Sequence, residues 1–332
     1  MHRSTIEEVA ALAGVSRSTV SRVVNGATAV SPEALAAVQK AIAHLNYAPN
    51  RAARSLASRQ THAIGLVVPE DTTRFFGDPY LASVVAGISA GLADSDYVLN
   101  LLIASDDPGD KMTRFVRNGG VDAAIIVSHH TSDSFVERIA DAVPVIFGGR
   151  PAGVRESDII VDVDNVRAAH EAVKHLIALG RRRIATITGT LTMAVSVDRR
   201  EGFLTALADA GLDSAGEIDG DFSEQGGADA MRQLLAQQPP PDALFIASDL
   251  MARGAIGVLR SAGLRVPEDV AVIGFDDSPL AAAADLTSVR QPMFQQGETL
   301  AALIVDELAG RHPAPLTILP TELVVRGSAP AV

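Results

Sequence analysis

From Ala63 onward the chain alternates short apolar runs with longer amphipathic stretches. The runs are AIGLVVP, VLNLLIAS, AAIIVS, PVIFGG, RIATITG, ALFIAS and VAVIGFDD. Between them lie LASVVAGISAGLADS, NVRAAHEAVKHLIALG, REGFLTALADAG and ADAMRQLLAQ. Near-continuous apolar runs of strand length suit a parallel sheet buried on both faces. Their alternation with helix-length segments predicts a doubly wound α/β architecture. Residues 63–332 are many for one such unit, so two lobes are predicted. In folds of this kind ligands bind outside the carboxyl ends of the strands. Residues that close the apolar runs are therefore the candidates for a site.

The first fifty residues follow a different rule. Thr5-Ile6-Glu7-Glu8 is a capping box, with Ile6, Val9, Ala10 and Ala13 at helical spacing after it. Gly14 suits the end of that helix, and Ser16 suits the start of a second over residues 17–24, closed by Asn25-Gly26. Two short helices joined by such a turn make a helix-turn-helix. A third helix is predicted from Ser31 as cap and Pro32 as first residue to Leu45. On the second helix Val20, Val23 and Val24 form the inner stripe, which leaves Arg17, Ser18, Ser21 and Arg22 on other faces. Arginine can bind guanine bidentately, and hydroxyls can reach phosphates or bases. The bland alternative is a three-helix unit with a solvated polar face.

Charge separates the same two regions. Residues 1–60 hold seven Lys/Arg against three acids, a net of +4, while the rest carries −16 within a total of −12. A small basic head on an acidic body suits a polyanionic partner for the head alone.

TIEEVAALAGVSRSTVSRVVNG, then VSPE, then LNYAPNRAARSLASRQTHAIGLVVP together resemble the N-terminus of LacI/GalR-family transcription repressors. HLIALGRRRIATITG, ASDLMARGAIGVLRSAGLRVPEDVAVIGFDD and LTSVRQP extend the resemblance over nearly the whole chain. It implies an all-α helix-turn-helix head over 1–48, a hinge helix over 49–60, and an α/β periplasmic-binding-protein-like effector domain of two doubly wound lobes over 61–332. It places Arg17, Ser18 and Arg22 as base readers in the major groove, with Ser16, Thr19, Ser21 and Asn25 on phosphates. The segment after Pro49 is short, Ala-rich and basic, too short to be helical alone in water. By resemblance it is the hinge, with Asn50, Arg51 and Arg54 along the minor groove and Leu56 as an apolar wedge.

For the effector the resemblance points to Asp276, Arg199 of DRREGF, Phe222 of GDFSEQGG, Asp78 and Tyr80 of FFGDPYLA, Phe76, His129 and Asp249. Carboxylates suit sugars because each accepts more than one hydroxyl hydrogen. Gly149-Arg150 and Ser248 depart from common members of the family and put the hydroxyl pattern in doubt. RFFGDPY, GGRP and GDFSEQGG are most similar to glucoside and oligosaccharide regulators of high-GC Gram-positive bacteria, which implies a cellobiose- or maltose-type effector. A purine, a sugar phosphate and a free transport protein are the competing readings.

Enzyme motifs do not hold up. Gly87-Ile88-Ser89-Ala90-Gly91 fits G-x-S-x-G but sits inside one helical pattern, without the required strand and elbow. His170 and His175 are five apart, about 140° around a helix, so one helix cannot aim both at one zinc. There is no cysteine, no dinucleotide or P-loop glycine motif, and no run of membrane-spanning length. The expectations are no cofactor, no metal, no membrane, a cytoplasmic homodimer, and double-stranded operator DNA and a small sugar as partners.

Overall fold

The computed structural model describes residues 4–24, 30–47, 60–103, 105–151 and 153–331. Contacts divide the chain into two compact units, Met1–Thr61 and His62–Val332.

The first unit is α1 (Ile6–Ala13), α2 (Arg17–Val24) and α3 (Pro32–Leu45). The Thr5 hydroxyl accepts from the Glu8 amide at 3.3 Å, and the Thr5 amide donates to Glu8 Oε2 at 2.9 Å. This reciprocal cap starts α1 as the spacing predicts. Ser16 Oγ accepts from the Thr19 amide at 3.1 Å at the head of α2. Ser31 Oγ accepts from Ala34 at 3.3 Å before Pro32 opens α3. Val9, Ala10, Val20, Val38 and Ala41 form a small buried core, ringed by Ile6, Val15, Val23, Val24 and Leu45. Asn25 and the hinge candidates Asn50, Arg51, Arg54 and Leu56 lie outside the described residues.

The second unit carries twelve strands among its described residues. They are β1 (Ala63–Val68), β2 (Val98–Ile103), β3 (Ala123–Val127), β4 (Val145–Gly148), β5 (Ile159–Val163), β6 (Ile184–Thr188), β7 (Glu217–Asp219), β8 (Ala243–Ile246), β9 (Ala271–Asp276), β10 (Thr287–Arg290), β11 (Leu316–Leu319) and β12 (Glu322–Val324). They form two sheets of six, ordered β11-β5-β4-β3-β1-β2 and β12-β10-β9-β8-β6-β7. Every pairing is parallel except β10 with β12. Register is in step across the central strands, with Leu66 opposite both Leu101 and Ile125. These strands are buried along their length, as all six residues of β1 and of β9 are. That burial explains why they read as unbroken apolar runs.

The chain crosses between lobes three times. The crossings fall between β5 and the helix Asn165–Ala178, between β10 and the helix Met293–Leu308, and between β11 and β12. Each lobe is thus completed by a distant part of the sequence.

The G-x-S-x-G sequence forms the last five residues of the helix Pro79–Gly91, and Ser89 is exposed on it. Its glycines are a packing seam. A Cβ on Gly87 would lie 2.0 Å from the Phe294 carbonyl oxygen, and one on Gly297 would lie 2.2 Å from that of Val84. Backbone atoms cannot yield as a side chain can. Gly87→Ala is therefore expected to destabilise the unit by about 2 kcal/mol or more, read as a lowered urea midpoint. An unchanged midpoint would mean that the two helices can part freely. His170 and His175 diverge as expected. The first bonds Asp209 at 2.9 Å, and the second donates to the carbonyls of Ala329 and Pro330 at 3.1 and 3.0 Å.

Candidate nucleic-acid and effector sites

On α2 the buried Val20 fixes which face looks outward. Arg17, Ser18 and Arg22 are all exposed, and Thr19 and Ser21 are half-buried beside them. Ser16 Oγ lies 2.7 Å from Ser18 Oγ and 2.9 Å from Thr19 Oγ1, so three hydroxyls form one cluster at the helix start. Arg17 pairs with Glu7 at 3.2 Å, with side chains 73% and 59% exposed. A pair so exposed is worth little and yields readily to a phosphate or a guanine edge.

Six of the eight effector candidates converge in one cleft of the second unit, at the carboxyl ends of strands from both lobes. About 680 Å³ of space not filled by atoms lies between its walls, part of it open to solvent. Asp78, Tyr80, His129, Arg199, Phe222 and Asp276 line it.

Arg199 is fully buried in the helix Ala194–Asp209. Its Nε donates to Asn165 Oδ1 at 2.9 Å, its Nη1 donates to the Ala247 carbonyl at 2.6 Å, and its Cζ lies 3.5 Å from the centre of the Phe275 ring. Burial lowers its pKa, opposed first by the charge of Asp276. Asp276 ends β9 with φ 110°, a strained conformation for a residue with a side chain. Its Oδ1 accepts from Gln291 Nε2 at 2.6 Å. Burial pushes its carboxyl well above the ordinary range, and Arg199 pulls it back in part. Asp78 and Asp162 are also raised, in each case chiefly by burial.

Phe222 forms an apolar wall. Asp221 and Phe222 have consecutive left-handed φ values of 56° and 50°. Each costs about 1–2 kcal/mol relative to ordinary backbone. Strain of this kind persists where surrounding contacts over-determine it. The ring fills the space beside Gly189, where a Cβ would come within 1.9 Å of it. Arg74 covers the ring from the other lobe, 5.4 Å from its centre. Arg74 Nη1 also stands 3.4 Å from Glu70 and 3.9 Å from Asp221. His129 is buried, tilted against Phe147, and neither ring nitrogen has a partner among the described residues. Burial lowers its pKa to about 4, with the Arg150 backbone opposing. A buried imidazole with unmet hydrogen-bonding capacity suits a polar ligand.

Two expected residues do not line the cleft. Phe76 is 76% exposed, and its neighbour Phe75 packs into the core instead. Adjacent residues on the helix Thr72–Gly77 point about 100° apart, so only one of the two can face inward. Asp249 is buried beneath the cleft rather than in it. It accepts from Ser288 Oγ at 2.6 Å and from the Ser278 amide at 2.7 Å, fixing the loop after Asp276. Burial pushes Asp249 up to about 6, opposed by those hydrogen bonds. A raised carboxyl keeps its proton in the native state after the unfolded chain has lost it. The group therefore costs stability as pH climbs from its ordinary 3.8 through about 6. Asp249→Asn is expected to be more stable than the parent at pH 7.5 and equal to it at pH 3.5. Urea unfolding at the two values checks this, and a gap independent of pH would contradict it.

The structure adds Arg74, Arg150, Asp162, Asn165, Gln291 and Gln296 to the lining. Arg150 reaches across to pair with Asp198. Ser248 caps the next helix through Met251 and borders the same cleft. Across the mouth, the Thr131 amide donates to the Thr192 carbonyl at 2.8 Å, and His130 Nδ1 lies 2.8 Å from Thr192 Oγ1. Among the described residues no cluster of three or more His or acidic side chains is placed to hold a metal, and no helix is long and apolar enough to cross a membrane.

A helix-turn-helix unit and a two-lobed α/β unit with a polar cleft, in one chain, are the parts of a transcription regulator. Residues 5–50 match the bacterial regulatory proteins of the lacI family, and residues 173–329 match the periplasmic binding protein-like domain. The chain is 42% identical to the HTH-type transcriptional regulator CelR of Thermobifida fusca, over 98% of each chain. It is 36% identical to the ribose operon repressor of Escherichia coli, over 98% of this chain and all of that one. A solved structure of a CelR–cellobiose complex superposes with a TM-score of 0.77 at 40% identity, covering 98% of this chain and 100% of that one. The lac repressor dimer bound to operator and the anti-inducer ONPF gives 0.85 at 29% identity, over 99% and 100%. The chain belongs to the LacI family of bacterial transcription regulators.

Proposed function

We propose that this regulator represses transcription from the cytoplasm as a homodimer, and that a neutral glucoside of the cellobiose type in the cleft controls its grip on an inverted-repeat operator. Arg17, Ser18 and Arg22 read bases, and Ser16, Thr19 and Ser21 set the register on phosphates. Asp276 accepts effector hydroxyls, Arg199 donates to them, and Phe222 offers a face to a sugar ring.

The observation that carries the ligand class is the charge inside the cleft. Three arginines line it, but Arg199 lies in the field of Asp276, Arg150 pairs with Asp198 and Arg74 stands beside Glu70, while Asp78 and Asp162 add further carboxylates. A phosphate there would have to draw arginines away from those acids, whereas a polyol supplies the hydroxyl donors that carboxylates accept. Similarity to a cellobiose-binding relative supports the same choice.

Two measurements test the reading. Footprinting on the chain's own upstream region should protect an inverted repeat. Thermal melts with cellobiose, maltose, glucose, glucose 6-phosphate and a purine should show stabilisation by the neutral glucoside, about 2.7 kcal/mol at a hundred times its Kd. Stabilisation by the phosphate or the purine alone would overturn the ligand class.

A further inference from the structure

One carboxylate of the basic head stands beside a proposed base reader. The acids of residues 1–60 are Glu7, Glu8 and Glu33. Glu8 is taken up by the cap of α1, where its Oε2 accepts from the Thr5 amide at 2.9 Å. Glu33 lies in the first turn of α3. Glu7 instead bridges the two helices of the helix-turn-helix. Its Oε1 stands 3.2 Å from Nη1 of Arg17, the first residue of α2, and both side chains are exposed. A carboxylate on a surface that meets a polyanion costs affinity by repulsion. One reason for it is the helix dipole, which favours an acid in the first turn of α1. Its position against Arg17 supplies a second.

When the Arg17 guanidinium reaches a guanine edge, a carboxylate within hydrogen-bond distance of it reaches the same depth of the groove. There a G·C pair presents, in line, the acceptors N7 and O6 of guanine and the N4 amine donor of cytosine. Arg17 brings a fork of donors, and Glu7 brings an acceptor beside it. Donor, donor, acceptor is the complement of acceptor, acceptor, donor. Each of the other three base pairs mismatches that order at two of the three places. A phosphate, by contrast, offers acceptors alone and carries the charge that Glu7 repels. The same carboxylate thus turns Arg17 from backbone to base. An ion pair this exposed is weak enough to shift onto a base pair, and on G·C neither group has to leave the other.

We infer that Glu7 is a specificity-determining residue of the operator contact. With Arg17 it reads one whole G·C pair, accepting from the N4 amine of the cytosine opposite the guanine that Arg17 holds. This rests on Arg17 as a base reader, as given above. A role confined to the helix dipole predicts a change in the stability of the head, with no sensitivity to the cytosine amine.

The test uses the full-length protein and an operator that it selects from a random duplex pool. Cytosines of that operator are replaced one at a time, in both half-sites, by N4-methylcytosine. This base still pairs with guanine, but a methyl group replaces the amine proton that faces the groove. Guanines are replaced in the same way by 7-deazaguanine, which lacks N7. Fluorescence anisotropy compares modified with unmodified operator for the parent, Glu7→Ala and Arg17→Ala. A ratio taken within one protein cancels the general gain in DNA affinity that follows removal of an acid. At one G·C pair the parent is expected to lose about tenfold on either modification. Glu7→Ala should lose its response to the N4-methyl group and keep its response to 7-deazaguanine. Arg17→Ala should lose its response to 7-deazaguanine. If no cytosine carries an N4-methyl penalty that depends on Glu7, the inference is overturned while Arg17 keeps its place. If no guanine carries a 7-deaza penalty that depends on Arg17, the base-reading assignment falls and the inference with it. Failure to enrich any sequence from the pool removes both.

Discussion

Replacing Arg199 by methionine is expected to abolish the effector response and to destabilise the larger unit by about 3 kcal/mol, the low end for leaving a buried charge uncompensated. The cost is large because Arg199 has three attachments at once: Asn165, the Ala247 carbonyl and the face of Phe275. It stays at the low end because Asp276 can take up a proton. Burial already pushes that carboxyl up, and Arg199 is what holds it down. The sign of the pH effect follows. With Arg199 gone, Asp276 rises further, so the variant loses stability relative to the parent as pH climbs through that raised value. Urea unfolding at pH 5 and pH 8, with calorimetry for the sugar, measures both effects. A variant that binds cellobiose as the parent does would remove Arg199 from the site.

The second large effect belongs to the head. Arg17→Ala with Arg22→Ala is expected to weaken specific operator binding by roughly 3–4 kcal/mol, about a few hundredfold, since a bidentate base contact contributes about 1–3 kcal/mol. Little of that is offset in the free protein, because the Arg17–Glu7 pair is exposed. Cellobiose affinity should be unchanged, as both arginines lie in the first unit. Binding to unrelated DNA should fall much less than binding to the operator. Equal losses on both would reassign the arginines from bases to phosphates.

Much of this organisation is visible in the bare sequence because it depends on local physics. Thr5 with Glu8, Ser31 with Pro32, and the stripe Val20, Val23, Val24 each specify a cap or a face over a few residues. The central strands announce themselves because both faces are buried. β7, β10, β11 and β12 do not, since EID, TSVR, LTIL and ELV are short or partly polar. β5 is hidden differently: IIVDV carries Asp162 as its fourth residue, a cleft-lining residue that interrupts the apolar run.

The cleft follows the same division. Asp276 and Arg199 stand out because strand ends and a shared motif mark them. Asn165, Gln291 and Arg74 do not, because their importance lies in what they bond across the fold: Arg199 at 34 residues' separation, Asp276 at 15 and Phe222 from the opposite lobe. Asp249 misleads for a related reason. It stands beside a strand end and starts a helix, but its carboxylate turns under the sheet to Ser288. Phe76 misleads because on a single helical turn a pair of phenylalanines does not reveal which one faces inward.

The central claim is that one chain joins operator and sugar through a shared free energy. Such coupling is reciprocal by thermodynamic necessity. The most direct measurement therefore takes the wild-type protein at one salt concentration and titrates both ways: operator affinity with and without saturating cellobiose, and cellobiose affinity with and without saturating operator. Each ligand is expected to weaken the other by the same factor, well above tenfold. Two affinities that ignore one another, with both ligands bound together at full strength, would contradict it.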